Sequence, residues 1–542
     1  MKAICQTGSF EAFSMYNAIY VDKTELIYSL VSLPNRIFIS RPRRFGKSLT
    51  LDTIATLFET GVEPYFKGTW IYDKWTEPTY PVLRLNFLNF DKNSIEKFNN
   101  KLNSKITEFA ELNHVTSYKE KEEAEDSIDH LLEQLRLENR QIVILIDEYD
   151  CQMTANINNE TLYKQFQEKI KSFYANLKDK LAIKFLGITG VTRLKDVEIF
   201  SIGSDIRDIT NASAYSQMIG FTRDEIKKFY IDYLKLAASY ENNCNVDEVT
   251  DTQIESLLDR LAQNYDGYCF DEFYKKKVFS TWSVNSFFQS IVENKFVFFD
   301  EYWYDNGGLP SILVNYLKTH ELNIFEYLDK DKFLKVSSDD FKNPTALTTI
   351  NQNVLMCQTG YLTLRSDLKK SSTVLLGIPN GEIYKALNRL LANNIFKGKA
   401  DVTDDQGKNL LEEGTVDDII NLFNRALNSV SYDNYPIVSE SSVQNMLKLY
   451  LLGAHQEVLS EVHEAKGRAD LIVNTDIRRI VFEFKYAQNE SEAKTKLSEA
   501  VEQIKSRDYG NILPKKHELL RIAAVFNADP KVRAFTENQI VP

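Results

Sequence analysis

Eight residues near the N-terminus, Arg41-Pro42-Arg43-Arg44-Phe45-Gly46-Lys47-Ser48, gather four cations and end in Gly-Lys-Ser. A glycine-bearing turn with free backbone N–H groups, a lysine and a serine that reaches Mg²⁺ are the parts that hold a nucleotide's phosphates, provided a strand precedes them and a helix follows. Both flanks read that way: Arg36–Ser40 as a strand and Leu49–Phe58 with a helical apolar rhythm. Arg41 stands where the first glycine of GxxxxGK[ST] belongs, so the glycine-only dihedrals at that point are not assured. The plain alternative is a basic turn that pairs with carboxylates elsewhere. A second cluster favours phosphate. The apolar run Gln141–Ile146 ends in Asp147-Glu148, an order that sets one carboxylate on a Mg²⁺ shell and the next beside a γ-phosphate. Acids also end strands merely because strand ends are exposed. Thr189 closes the next apolar strand and is placed to hydrogen-bond the γ-phosphate or the attacking water. The candidate nucleotide contacts are therefore Arg41, Arg43, Arg44, Gly46, Lys47, Ser48, Asp147 and Thr189, with Ser48 and Asp147 on Mg²⁺ and Glu148 catalytic.

A third cluster lies near the C-terminus. Gly467-Arg468-Ala469-Asp470-Leu471-Ile472-Val473 is followed, past a turn at Asn474–Ile477, by Arg479-Ile480-Val481-Phe482-Glu483-Phe484-Lys485. In a hairpin Asp470 and Glu483 fall on neighbouring strands, and Glu483 and Lys485 share a face because strand side chains repeat every two residues. Two carboxylates and a lysine on one face can hold a divalent metal and orient a water against a phosphodiester. A surface cross-strand ion pair is the alternative. The apolar neighbours Ile480, Val481, Phe482 and Phe484 argue for a partly buried strand, where charged groups are seldom kept without a role. Asp470, Glu483 and Lys485 are thus candidate catalytic residues, the two acids also as metal ligands.

The elements that must position these groups follow from pattern. Short apolar runs alternating with helical patterns over the first third predict an α/β sheet. Thr222–Phe288 reads as an aromatic-rich helical lid broken by a turn at Tyr265–Tyr268, and residues 399–417 as a boundary loop. Helices over Ser441–Leu452 and Ser491–Lys505 flank short strands in a small C-terminal α/β domain. Of the 542 residues, 43% are hydrophobic and 26% charged, which excludes wholesale disorder. A net charge of −12 confines any polyanion site to a local basic patch. Five scattered cysteines without a CxxC pair argue against a disulfide framework or a structural zinc site, and fit a reducing compartment. No apolar signal core opens the chain and no run spans a bilayer, so a cytoplasmic protein without a membrane is expected.

Tyr20–Ile27 and Ser40–Leu49 resemble segments of the bacterial AAA-ATPase-like family, as do Ile144–Tyr149, Gly187–Arg193, Gly220-Phe221-Thr222, Tyr265–Tyr268 and Phe279–Ser283. The residues from Gly467 to Lys485, with Gln503, Ile504 and Tyr509 behind them, resemble the PD-(D/E)xK nuclease superfamily. Glu440 is a candidate for that superfamily's leading acid, in competition with Glu457, Glu461 and Glu464. The resemblance implies a P-loop NTPase parallel sheet with a helical lid, followed by a restriction-endonuclease-like α/β domain. The expected division is 1–215 (ATPase-like), 216–300 (lid), 301–398 (connecting) and 420–542 (nuclease-like). The expected function is an ATP-binding ATPase fused to a Mg²⁺-dependent nuclease-like domain, with nucleic acid, DNA or RNA, as partner. The alternative is a nucleotide-binding switch whose C-terminal domain binds without cleaving. A homo-oligomer is left open, because Arg193 and Arg207 are equally weak candidates for an arginine finger.

Overall fold

The computed structural model describes the chain apart from residues 34, 195–204, 304–310, 318–319, 321–322, 345, 397–404, 455, 465–466 and 510–517. It also leaves the side chains of 311, 405–406, 460–464 and 467–468 outside the description. The chain forms two compact units, residues 1–322 with 331–383, and residues 323–330 with 384–542.

The first unit is built on five parallel strands: β1 (Asn35–Ser40), β2 (Val82–Asn86), β3 (Ile142–Asp147), β4 (Ile183–Gly190) and the short β5 (Arg207–Asp208). Their order in the sheet is β2-β3-β4-β1-β5. Every residue of β3 and β4 is buried, which is why both are rich in apolar residues, β4 admitting Lys184 and Thr189; a parallel sheet is covered on both faces. The strand carrying Asp147 is separated from β1 by β4, so Thr189 at the end of β4 stands between them. Helices Arg223–Phe229, Ile231–Asn242, Asp251–Tyr265 and Thr281–Asn294 pack around Tyr230, Leu234, Leu258, Phe287 and Phe288. The aromatics of that stretch are core, the commonest use of such residues.

A small antiparallel sheet of β6 (Leu334–Ser337), β7 (Thr363–Leu364) and β8 (Thr373–Gly377) belongs to the same unit. Residues 301–383 are therefore, apart from 323–330, part of the ATPase-like unit and no separate connector, unlike the expected division. The second unit starts at residue 384 instead of 420, inside the helix Gly381–Ile395. The expected boundary loop at 399–417 contains the helix Asp405–Glu413 and the start of a second helix at Val416. Its charged composition conceals an amphipathic face that buries Leu411 and Val416.

The second unit holds β9 (Glu457–Glu464), β10 (Gly467–Asn474), β11 (Arg478–Ala487), β12 (Glu518–Asn527) and β13 (Ala534–Ile540) in that spatial order. Strands β9, β10 and β11 form an antiparallel meander, while β11 and β12 are parallel and are joined through the helix Glu490–Arg507. That helix begins where the Asn489 side chain caps the Glu492 N–H. It buries Ala500, Val501 and Ile504 against Ala469, Ile472, Val481 and Ala523. No helix among the described residues is long and apolar enough to cross a membrane.

Candidate functional site

At the C-terminal end of β1 the chain turns through Arg44 (φ 69°) and Gly46 (φ 102°) into the helix Lys47–Thr60. The left-handed positions are thus 44 and 46, and Arg41 has no positive φ. A first glycine is not required here, because the loop makes its sharp bend three residues later than the motif would place it. Arginine tolerates that φ poorly, so tertiary contacts must hold it. The Arg44 carbonyl accepts hydrogen bonds from Thr281 Oγ1 (3.0 Å) and the Trp282 N–H (3.4 Å), and its guanidinium lies 3.9 Å over the Trp282 ring. Trp303 Nε1 donates to the Arg43 carbonyl at 3.2 Å. Trp303 in turn donates its own N–H to Glu382 Oε1 at 2.7 Å, and Ser283 Oγ lies 2.7 Å from Glu382 Oε2. Burial pushes the Glu382 carboxyl up to about 8, with Glu301 and Asp300 adding to it. Below the loop, Pro42 Cβ would lie 2.8 Å from any Cβ at Gly360, whose φ is 94°.

The loop opens on a pocket of about 490 Å³, the size of a small-molecule site. Arg43, Arg44, Gly46, Lys47, Ser48 and Glu148 line it. Lys47 Nζ donates to the Pro42 carbonyl (3.2 Å) and lies 3.6 Å from Glu148 Oε1. Ser48 Oγ donates to Asp147 Oδ2 at 2.6 Å, and Thr189 Oγ1 donates to Asp147 Oδ1. Burial raises the Glu148 carboxyl above its ordinary value while Lys47 opposes the shift. Five of the anticipated groups, Lys47, Ser48, Asp147, Glu148 and Thr189, therefore meet at one strand edge. Arg41 does not join them. Its guanidinium is buried on the other side of the loop, donating to the Ser40 and Thr210 carbonyls (2.8 and 2.6 Å) and lying 4.1 Å over Phe270. Burial of a guanidinium that follows a β-strand inward could not be read from a run of four basic residues. Arg193 is ion-paired with Asp208, and Arg207 is exposed over Tyr215.

The far wall of the pocket went unassigned in the sequence. Cys5–Gly8, Tyr20, Val21 and Lys23 come from the N-terminal segment, and Phe221, Tyr230 and Asn285 from the helical lid. Lys23 Nζ joins the two by donating to both Glu225 oxygens (2.6 and 2.7 Å) and to the Gln217 carbonyl (2.8 Å). The available signal was the Tyr20–Thr24 segment itself, a buried-type lysine among apolar residues.

In the second unit the register Leu471↔Phe482 places Asp470 beside Glu483 across β10 and β11. Asp470 Oδ2 accepts the Phe484 N–H at 2.8 Å, and Lys485 Nζ lies 2.8 Å from Glu483 Oε1. Glu440, first residue of the helix Glu440–Gly453, comes 3.5 Å from Lys485 Nζ. The helix cap at Ser439 fixes it there: the Ser439 side chain accepts the Ser442 N–H. Glu440 thus joins the cluster. Of its competitors, the side chains of Glu461 and Glu464 lie outside the described residues, as do those of His463, Gly467 and Arg468. Glu483 is fully buried, with Oε2 lacking a hydrogen-bond partner. Burial, then Asp470, pushes its carboxyl up to about 7; burial also raises Asp470. Burial works against the Lys485 charge, but Glu483 and Glu440 outweigh it and hold the ammonium above its ordinary range. Tyr509 accepts at its hydroxyl from Arg507 Nη1 (2.7 Å) and Gln503 Nε2 (3.5 Å) on the adjoining helix end.

A metal would fit both clusters by donor chemistry. Ser48 and Asp147 offer hard oxygens at one, Asp470 and Glu483 at the other, where an orphaned buried carboxylate oxygen is a ligand in waiting. No trio of His, Cys, Asp or Glu forms a ready cage among the described residues.

Residues 5–200 match the family described as predicted AAA-ATPase, and residues 438–535 match the PD-(D/E)XK nuclease superfamily. The two matches agree with the expected architecture, a segment similar to the predicted AAA-ATPase family followed by one similar to the PD-(D/E)XK nuclease superfamily. A curated relative, an uncharacterized protein in the vnfD 5′ region of Azotobacter chroococcum mcd 1, is 26% identical over 527 residues, covering 94% of this chain and 93% of that one. The crystal structure of Cdc6p from Pyrobaculum aerophilum aligns with a TM-score of 0.23 at 11% identity, covering 68% of this chain and 92% of that one.

Proposed function

We propose that the chain binds and hydrolyses ATP in the first unit and cleaves a nucleic-acid phosphodiester in the second, with nucleotide state gating access to the cleavage site. The observation that carries the first half is the meeting of Lys47, Ser48 and Glu148 at one pocket, with Asp147 held directly behind on the Ser48 hydroxyl. In this reading Lys47 leaves the Pro42 carbonyl and Glu148 for the β- and γ-phosphates. Arg43 and Arg44 add positive potential at the pocket wall, and the Gly46 turn supplies N–H donors. Glu148, freed of its lysine, accepts a proton from the attacking water. Ser48 and Asp147 would hold Mg²⁺, with Thr189 fixing the Asp147 carboxylate.

At the second site Asp470 and Glu483 would hold Mg²⁺ through their carboxylate oxygens, and Lys485 would stand beside the scissile phosphate to offset developing charge. Mg²⁺ at either site supplies Lewis-acid polarisation of a phosphoryl oxygen. The protein acts without a membrane, in the cytoplasm, and self-association is compatible with the ATPase-like fold.

The test measures ATP turnover and cleavage of mixed DNA and RNA with Mg²⁺, for wild type, Lys47→Ala and Asp470→Ala. Lys47→Ala is expected to lose nucleotide binding, and Asp470→Ala to lose cleavage while binding ATP normally. Tight ATP binding that needs Lys47, with no cleavage of any substrate, would replace this reading by the nucleotide-operated switch.

A further inference from the structure

The arginine that sequence spacing put on the phosphates is the one that turns away from them, and its surroundings define a different site. We propose that Arg41 binds a small monovalent anion, of the size of chloride, in a small cavity beside the phosphate-binding loop.

Arg41 is 1% exposed. Its Nη1 donates to two backbone carbonyls and its flat face rests on Phe270, while the Nε and Nη2 edge has no hydrogen-bond partner. That edge is the fork with which guanidinium grips anions by two parallel N–H bonds. Arg41 lines a cavity of about 40 Å³, with Thr210, Asn211, Cys269, Phe341 and Gln358 among the other walls. At about 10–15 Å³ for each water, the space takes roughly three waters or one small anion, and no nucleotide.

The charge arrangement calls for an anion. Asp208, the carboxylate that acts on Arg41, is already ion-paired with Arg193 at the same cavity. Burial pulls the Arg41 guanidinium down to about 9, against this distant support. It stays charged at neutral pH, and a buried charge without a counter-charge is costly. Water would satisfy the N–H groups but leave the charge. A chloride-sized ion does both, and it ties the end of β1 to the segments at Cys269 and Gln358.

The site is separate from the nucleotide pocket, so the test is made on the full chain carrying Lys47→Ala, which removes the anion-binding lysine of that pocket. Calorimetric unfolding is followed as sodium chloride replaces sodium gluconate at constant ionic strength. The expected result is a saturable rise of the first unit's midpoint, lost when Arg41→Met is added. No rise, or a rise that survives Arg41→Met, overturns the proposal. Should Arg41→Met not fold, bromide-soaked wild-type crystals decide. An anomalous peak within hydrogen-bond reach of Arg41 Nε and Nη2, together with the chloride response, supports the site. No peak there overturns it, and so does a peak without that response, which marks an adventitious ion only.

Discussion

The two candidate sites of this chain are assembled in opposite ways. The C-terminal one is local: Asp470, Glu483 and Lys485 come from one hairpin, and one capped helix adds Glu440. The N-terminal one is gathered from the ends of β1, β3 and β4, and its loop at Arg43 and Arg44 is braced by Thr281, Trp282 and Trp303, more than two hundred residues further on, with Glu382 holding Trp303. Their electrostatics differ as well. Asp147 is already satisfied by the hydroxyls of Ser48 and Thr189, whereas Glu483 is buried with an oxygen unpartnered. The first site holds its parts in mutual hydrogen bonds until a ligand replaces them. The second pairs one oxygen of Glu483 with Lys485 and leaves the other without a partner.

The strongest way to break this contrast is Gly360→Ala. Its Cβ would meet Pro42 at 2.8 Å on a backbone of φ 94°, displacing the loop from below. We expect nucleotide affinity to fall at least about tenfold, the scale of a kcal/mol or two of backbone strain. Calorimetric titration should find Mg²⁺ binding to the second unit unchanged. Equal losses at both sites, or none at either, would mean the sites are not independently braced.

Acidity sharpens the contrast next. Glu382 and Glu483 both have carboxyls raised by burial, to about 8 and about 7. A raised acid takes up a proton on folding, so its contribution is most favourable at low pH and declines as pH rises from the ordinary carboxyl value to the raised one. Glu382→Gln should flatten the pH dependence of the first unit's unfolding midpoint up to about pH 8. Glu483→Gln should do so for the second unit up to about pH 7, raising its midpoint at pH 8 while abolishing cleavage. A midpoint that drops at pH 8 in Glu483→Gln would show that its pairing with Lys485 outweighs the burial.

The smallest effect is expected of Arg44→Ala, which removes the guanidinium from Trp282. A cation–π contact of this kind corresponds to about a two- to fivefold loss of nucleotide affinity, readable in the same titration. No loss would leave the brace to the contacts made by the loop's backbone, at the Arg43 and Arg44 carbonyls.

The same contrast explains what the sequence could say. Glu483 and Lys485 are two residues apart and Asp470 lies just across a four-residue turn, so strand periodicity alone placed them together. The strand, turn and helix around Lys47 were equally local. Arg41 was misassigned because its direction depends on Phe270 and Thr210, which no spacing near position 41 encodes. The division at residue 384 was hidden for a related reason: it falls inside a continuous helix, with no change of composition to mark it.

All four tryptophans, Trp70, Trp75, Trp282 and Trp303, belong to the first unit, and the last two touch the phosphate-binding loop. The indole emission of the intact protein therefore arises wholly in the first unit. Any change in that emission on adding nucleotide, metal or nucleic acid is a change at an indole of the ATPase-like unit. Light selective for indole thus watches one half of this chain without a label.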